Sequence, residues 1–430
     1  MALLSKKDTN LILDPLADNN PITFDALADG NYSDCKISVT DNASNTSDNL
    51  SVSSFTIDTV KPVLAQVTAV TTPTKDPTPG YAFSSNEAGT ISYGGCSPGG
   101  TSAINGTNSI SFGTLSEEGS YSCTITVTDS AGNASSALSV NTFVVDTTAP
   151  TVSSISSSTS NGSYKLNDSI TITVTFNDNV IVDNSSGNPR IQLETGTNDR
   201  YANYISGNST STLTFLYTVQ SGDTASDLDY KSTNSLSANS GTIRDNATND
   251  STLTLSSPGA SGSLGANKAI IIDGIAPTVD NVSSSTADGD YFPGDNITVT
   301  VTFNETMIVD YSSGNPRIQL ETGTNDRYAN YVSGNSSSTL SFLYTVQSGD
   351  NFSDLDYKAT DSLSANGGII RDNARNNANL TLASPGATNS LASNKALVFG
   401  GWKQEAYIKA ANNDAGDAFG GTTFSVAIDG

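Results

Sequence analysis

The stretch SSGNPRIQLETGTNDRYANY at residues 185–204 returns without a change at residues 312–331, 127 positions further on. The match runs outward from it at the same offset. Phe176 maps to Phe303, Asp229 to Asp356, Arg244-Asp245-Asn246 to Arg371-Asp372-Asn373, and Pro150 to Pro277. Self-similarity at a fixed period marks an array of like domains. Recent duplication accounts for the identity of the stretch better than a ligand site does.

The periodicity inside each copy is that of strands. Ile170, Ile172, Val174 and Phe176 alternate with Thr171, Thr173 and Thr175, and Ile297, Val299, Val301 and Phe303 repeat the pattern. Leu213, Phe215 and Tyr217 follow it later, and a short strand, Arg190–Leu193, comes after Pro189. Alternation at period two buries one face of a strand and wets the other, and the Asn, Gly and Asp clusters between such runs are turns. No segment carries a 3.6-residue apolar period. Residues 148–274 and 275–400 therefore read as two copies of one β-sandwich, type B.

A second repeat, type A, lies upstream at an offset of 88, relating residues 22–62 to 110–150. Ile22, Phe24, Leu27, Cys35, Asp41, Asp58 and Pro62 match Ile110, Phe112, Leu115, Cys123, Asp129, Asp146 and Pro150. The complete copy is residues 59–147. Residues 1–58 hold only the second half, so the chain is expected to be a monomeric fragment of a longer product. Strands are expected at Gly80–Ser85, Gly89–Tyr93, Ser109–Phe112, Tyr121–Thr128 and Leu138–Val145. Cys96 and Cys123 fall in the complete copy and are expected to form a disulfide, two buried thiols being the alternative. The position matching Cys96 in the first copy is Asp8, which leaves Cys35 the odd cysteine. A disulfide points to an oxidising compartment.

Composition narrows the function. The net charge is −24, with 43 Asp and Glu against 19 Lys and Arg. Phosphate backbones and anionic membrane surfaces need clustered cations, so neither is an expected partner. No apolar run approaches the roughly 20 residues that span a bilayer, so membrane insertion is not expected. The chain has no histidine. That removes the usual zinc sites and every His-based nucleophile or acid–base pair. Paired carboxylates could hydrolyse glycosides, but a catalytic site duplicated in two adjacent sandwiches without a cleft-forming insertion is not expected.

The best chemistry lies at the domain boundaries. Three end in strand–Asp–x–x–x–Pro, with Asp58 before Pro62, Asp146 before Pro150 and Asp273 before Pro277. Upstream of each is a second acidic turn: Asp41 with Asn45, Asp129 with Asn133, and Asp245 with Asn246. Carboxylates with carbonyl oxygens make a hard-cation site suited to Ca²⁺. The alternative is that these aspartates only form Asx-turns. Gly400 stands at the position of Asp273, so the last boundary is expected to lack the site.

Three resemblances add to this reading. Glu118-Gly119-Ser120-Tyr121-Ser122-Cys123 resembles the strand-F signature of immunoglobulin-like sandwiches, where a Tyr two residues before a Cys makes the tyrosine corner. No Trp backs the disulfide, since the single Trp is Trp402, so an Ig-like sandwich is implied rather than a true immunoglobulin domain. Val127–Asn133 (VTDSAGN), Val145–Pro150 (VDTTAP) and Leu264–Gly274 (LGANKAIIIDG) resemble bacterial Ig-like repeats of large surface or secreted adhesins. Residues 401–430, with Trp402–Tyr407 and Gly416–Gly420, resemble the opening of an FG-GAP propeller blade. What the resemblances imply is an all-β chain of tandem Ig-like antiparallel β-sandwiches in an extended array. They further imply an extracellular or cell-surface location, no enzyme activity, and junction calcium that stiffens the rod. A cell-surface glycan or protein is the implied partner. The second functional expectation is that the type B sandwiches are themselves glycan- or protein-binding modules accessory to a secreted enzyme.

Overall fold

The computed structural model describes residues 26–41, 43–96, 99–116 and 118–401. The FG-GAP-like segment lies outside the described residues, apart from Gly401 itself. Three hydrophobic cores follow one another along the chain. One is centred on Phe83, Ile125 and Phe143, one on Ile172, Phe215 and Tyr217, and one on Val299, Phe342 and Tyr344.

In the type A domain, Gly80–Ser85 lies between Leu64–Thr68 and Gly106–Ser111, antiparallel to both. The facing sheet orders Leu138–Ser139, Thr124–Thr128, Gly89–Gly94 and Ser102–Ala103. Ile125 and Val127 point into the core while Thr124, Thr126 and Thr128 are half-buried, as alternation requires. The expected strand Tyr121–Thr128 is split in two. Gly119–Tyr121 pairs with Phe143–Val145, and Thr124–Thr128 pairs with Gly89–Gly94 in the other sheet. The break falls at Ser122-Cys123, where the disulfide crosses. Cys96 and Cys123 are bonded with their Cα atoms 5.4 Å apart, and Cys35 is a buried free thiol. The Tyr121 hydroxyl donates to the Ser116 carbonyl at 3.0 Å, which is the tyrosine corner. Residues 26–59 repeat this half-domain, with Gly30–Tyr32 on Phe55–Ile57 and Lys36–Ile37 on Leu50–Ser51.

Each type B domain is built around one 15-residue strand, Ser169–Asp183 or Asn296–Asp310. Its first half pairs with Val152–Ser157 and Thr210–Thr218, and its last three residues pair with Thr242–Arg244. The register shifts between Thr175 and Val180, and again between Thr302 and Met307. Such irregularities bend a strand and re-aim its side chains. The exit strand departs from the all-antiparallel expectation: Ile270–Asp273 runs parallel to Gly162–Lys165, and Leu397–Phe399 parallel to Gly289–Tyr291. Single-turn helices at Leu264–Asn267 and Leu391–Asn394, capped by Ser263 and Ser390, turn the chain into these strands.

The duplicated stretch is a braced hairpin. The Asn188 amide donates to the Tyr204 carbonyl, and Arg190 lies over the Tyr201 ring at 4.1 Å. The Arg200 Nε donates to Asp223 at 2.7 Å. Asp223 is fully buried and also accepts from the Tyr217 hydroxyl and the Gln220 N–H. The second copy repeats the set with Asp350, Arg327, Tyr344 and Gln347. These contacts give the repeated letters of the stretch a structural role within its own sandwich.

Candidate metal centres at the domain junctions

The linker aspartates sit where a strand leaves one sandwich and the chain enters the next. Each turns the linker with its own carboxylate. Asp58 accepts from the Val60 N–H, Asp146 from the Thr148 N–H and Asp273 from the Ile275 N–H. After the proline, each linker is tied to the downstream domain. The N–H groups of Val63, Thr151 and Thr278 donate to the side-chain oxygens of Asn86, Asn177 and Asn304. The next residue in each case is acidic, namely Glu87, Asp178 and Glu305. In the type B domains it sits inside the register shift of the long strand.

The second acidic turn is a five-residue loop of the form Asp-x-Ala-x-Asn. In Asp129–Asn133 the Asp129 carboxylate accepts from the N–H groups of Ala131 and Asn133 and from the Asn133 amide. The Asp41–Asn45 loop repeats all three bonds. Asp245 and Asp372 take the backbone and side-chain bonds of Asn249 and Asn376. The partner of Asp245 is thus Asn249, not the adjacent Asn246. The residue before each Asn has positive φ: Ser44 at 73°, Gly132 at 95°, Thr248 at 72° and Arg375 at 75°.

These loops meet the linker that enters their own domain, not the one that leaves it. The oxygens of Asp58, Glu87 and Asp129 lie within 4.8 Å of one another, and so do those of Asp273, Glu305 and Asp372. The sequence pairing of Asp41 with Asp58, of Asp129 with Asp146 and of Asp245 with Asp273 is therefore displaced by one domain. The reason is antiparallel pairing. Thr128 lies opposite Thr90 and Arg244 opposite Ile181, so each loop opens at the entry end of its sandwich. Among the described residues Asp41 joins no such cluster. At the middle junction burial raises the pKa of Asp146, against the Thr148 N–H, and the charges of Asp245, Glu118 and Asp178 add to the rise. Asp178 is one methylene shorter than the glutamates at the other two junctions.

The electrostatics are those of an anionic cage. Burial, and then the charges of Asp372 and Asp273, push the Glu305 carboxyl up to about 7. Burial also raises Asp273, against the Ile275 N–H, with Asp372 adding to the rise. Burial, Asp58 and Asp129 raise Glu87. Asp129 is opposite: burial lifts it, but the bonds from Asn133, Ala131 and Gly132 outweigh this and hold it low. Three all-oxygen carboxylate donors on fixed backbone suit a hard divalent cation such as Ca²⁺. Asp58, Glu87 and Asp129 would hold it at one joint, and Asp273, Glu305 and Asp372 at another. Glu87, Asp178 and Glu305 escaped the sequence reading. The signal for them was the acid that follows Asn86, Asn177 and Asn304 after a core strand in every complete domain.

No protein-family model matches the chain, and no curated protein matches it. Among solved structures it is similar to the FN1–FN3 domains of chicken CNTN1 at 11% identity. That match covers 71% of this chain and 95% of the other, with a TM-score of 0.19. It is similar to the plexin A4 extracellular region at 11% identity, over 77% and 24% of the two chains, with a TM-score of 0.16. It is similar to the native conformation of E. coli alpha-2-macroglobulin at 10% identity, over 77% and 23%, with a TM-score of 0.14. At these scores the likenesses carry nothing further. The class follows from the chain's own sheets and joints: a tandem array of Ig-like β-sandwiches, with one disulfide. Among the described residues no helix is long and apolar enough to cross a membrane.

Proposed function

We propose that this chain is a non-enzymatic structural and adhesive array of a large bacterial extracellular or cell-surface protein, a stalk whose joints are stiffened by calcium. One observation carries the proposal. The linker Asp meets the Asp-x-Ala-x-Asn loop at three successive junctions, between domains of two different types, and at the first and last of them the post-strand Glu brings three carboxylates within 4.8 Å of one another. A catalytic site would be placed once, in a cleft. A repeated joint serves the geometry of a rod. A cation at the joint neutralises carboxylates drawn from the linker and from the downstream domain, so it opposes bending at that hinge. The Cys96–Cys123 disulfide supports an extracellular setting. The stalk would present a binding domain towards a cell-surface glycan or protein, and the FG-GAP-like segment would belong to a neighbouring propeller.

Small-angle scattering on the full chain, in calcium and then in excess EDTA, tests this. The expected result is a profile that broadens on chelation and recovers when calcium returns. Identical profiles would reduce the junction carboxylates to turn residues and leave the type B sandwiches as binding modules.

A further inference from the structure

Each junction holds a contact that needs no cation. The Asn133 amide donates to the Asp58 main-chain carbonyl at 3.0 Å, Asn249 to that of Asp146 at 2.8 Å, and Asn376 to that of Asp273 at 2.8 Å. The same amides donate their other hydrogen to Asp129, Asp245 and Asp372 within the loop. Asn249 and Asn376 are buried, at 9% and 5% exposure. A buried amide with both hydrogens bonded, one inside its own loop and one across the joint, is a fixed fork.

We infer that the last Asn of the Asp-x-Ala-x-Asn loop is the coupling residue of the array, a socket that takes the main-chain carbonyl at the end of the preceding repeat. Because it reads backbone rather than side chain, it serves all three kinds of junction in the chain. It joins type A to type A at Asp58, type A to type B at Asp146, and type B to type B at Asp273. The partner that fits it is any sandwich whose last strand ends at that register. The inference rests on the tandem-array reading but not on calcium.

Secondary contacts then grade the joints. The Lys75 ammonium donates to the Thr248 carbonyl at the middle junction. At the last, the Leu166 N–H donates to the Asn376 side-chain oxygen, and Arg375 approaches Asp168 at 3.7 Å. There the Asn376 amide is bonded on both its donor and acceptor sides across the joint, so this junction is the more firmly coupled of the two.

The test is the distance distribution between probes at Val67 and Ile205, both exposed and on either side of the Asp146 junction, measured on the full chain in excess EDTA. The probes enter through unnatural amino acids, which leaves the native cysteines alone. Asn249→Ala should shift the docked–undocked balance about 5- to 10-fold towards undocked, the worth of one net buried hydrogen bond, and broaden the distribution. Asp146→Ala keeps the carbonyl, so it should stay docked in EDTA. Asn249→Ser, too short to reach the linker, replaces the alanine variant if that one unfolds. An Asn249 variant with the native distribution would overturn the coupling role. So would an Asp146→Ala variant that undocks as far as Asn249→Ala, since the linker turn would then hold the joint. Every distribution is read in excess EDTA, so neither outcome bears on the cation proposal.

Discussion

Calcium binding at the Asp273 joint should expel protons, and the amount follows from one carboxyl. Glu305 titrates at about 7 because it is desolvated and faces Asp372 and Asp273. A cation takes the ionised form, so binding must release whatever proton the group still carries. At pH 7 that is about half a proton from Glu305, rising to about 0.9 at pH 6 and falling to about 0.1 at pH 8. Calorimetric titration of the full chain with calcium, in buffers of equal pH and different ionisation enthalpy, gives the protons released. Asp273 at the same joint and Glu87 at the first are also raised, so both add to the total. The difference between the native chain and Glu305→Gln isolates Glu305. The glutamine variant should lose the Glu305 share, and the native affinity at this joint should climb as the pH passes from 6 to 8. If native and Glu305→Gln chains release equal numbers of protons at pH 6 and 7, Glu305 is not a ligand and the three-carboxylate cage is not a calcium site.

Without calcium the sign reverses for stability. The folded value of Glu305, about 7, lies above its ordinary 4.5, so its contribution is fully present below pH 4.5 and is lost as the pH rises through 7. In EDTA, unfolding of the last sandwich should move to lower temperature between pH 5 and pH 8, and saturating calcium should remove that trend. Reducing the Cys96–Cys123 bond, which spans 27 positions, should cost the type A domain about 3.5 kcal/mol on the chain-entropy model, read as the change in its urea midpoint with and without reductant. Asp223→Ala leaves Arg200, Tyr217 and the Gln220 N–H without their shared acceptor, and should destabilise the first type B domain by about 3–5 kcal/mol in urea unfolding. Asp223→Asn, which keeps the shape, should cost less.

Much of the sandwich was written in residue pattern. The alternation of Ile170, Ile172, Val174 and Phe176 against threonines could only make a strand with one dry face, and all four are buried. Cys35 was separable from Cys96 and Cys123 because the repeat showed which half-domain carried a pair. Two kinds of element left no such trace. The helices Leu264–Asn267 and Leu391–Asn394 are one turn long, too short for any period to show. The parallel pairing of Ile270–Asp273 with Gly162–Lys165 joins segments more than a hundred positions apart, and β-alternation is the same for parallel and antiparallel neighbours.

The sequence by itself determined the repeats, most of the strands within them, the cysteine pair and the linker aspartates Asp58, Asp146 and Asp273. Only the tertiary structure decided which acids meet. Asp129 is near Asp146 in the chain, yet the strand Phe143–Val145 lies between them and carries Asp146 to the opposite end of the sandwich. Antiparallel pairing returns Asp129 to the entry end, beside Glu87 and the linker Asp58. A strand is a rigid spacer of about 3.3 Å per residue, so closeness in sequence across a strand means separation in space.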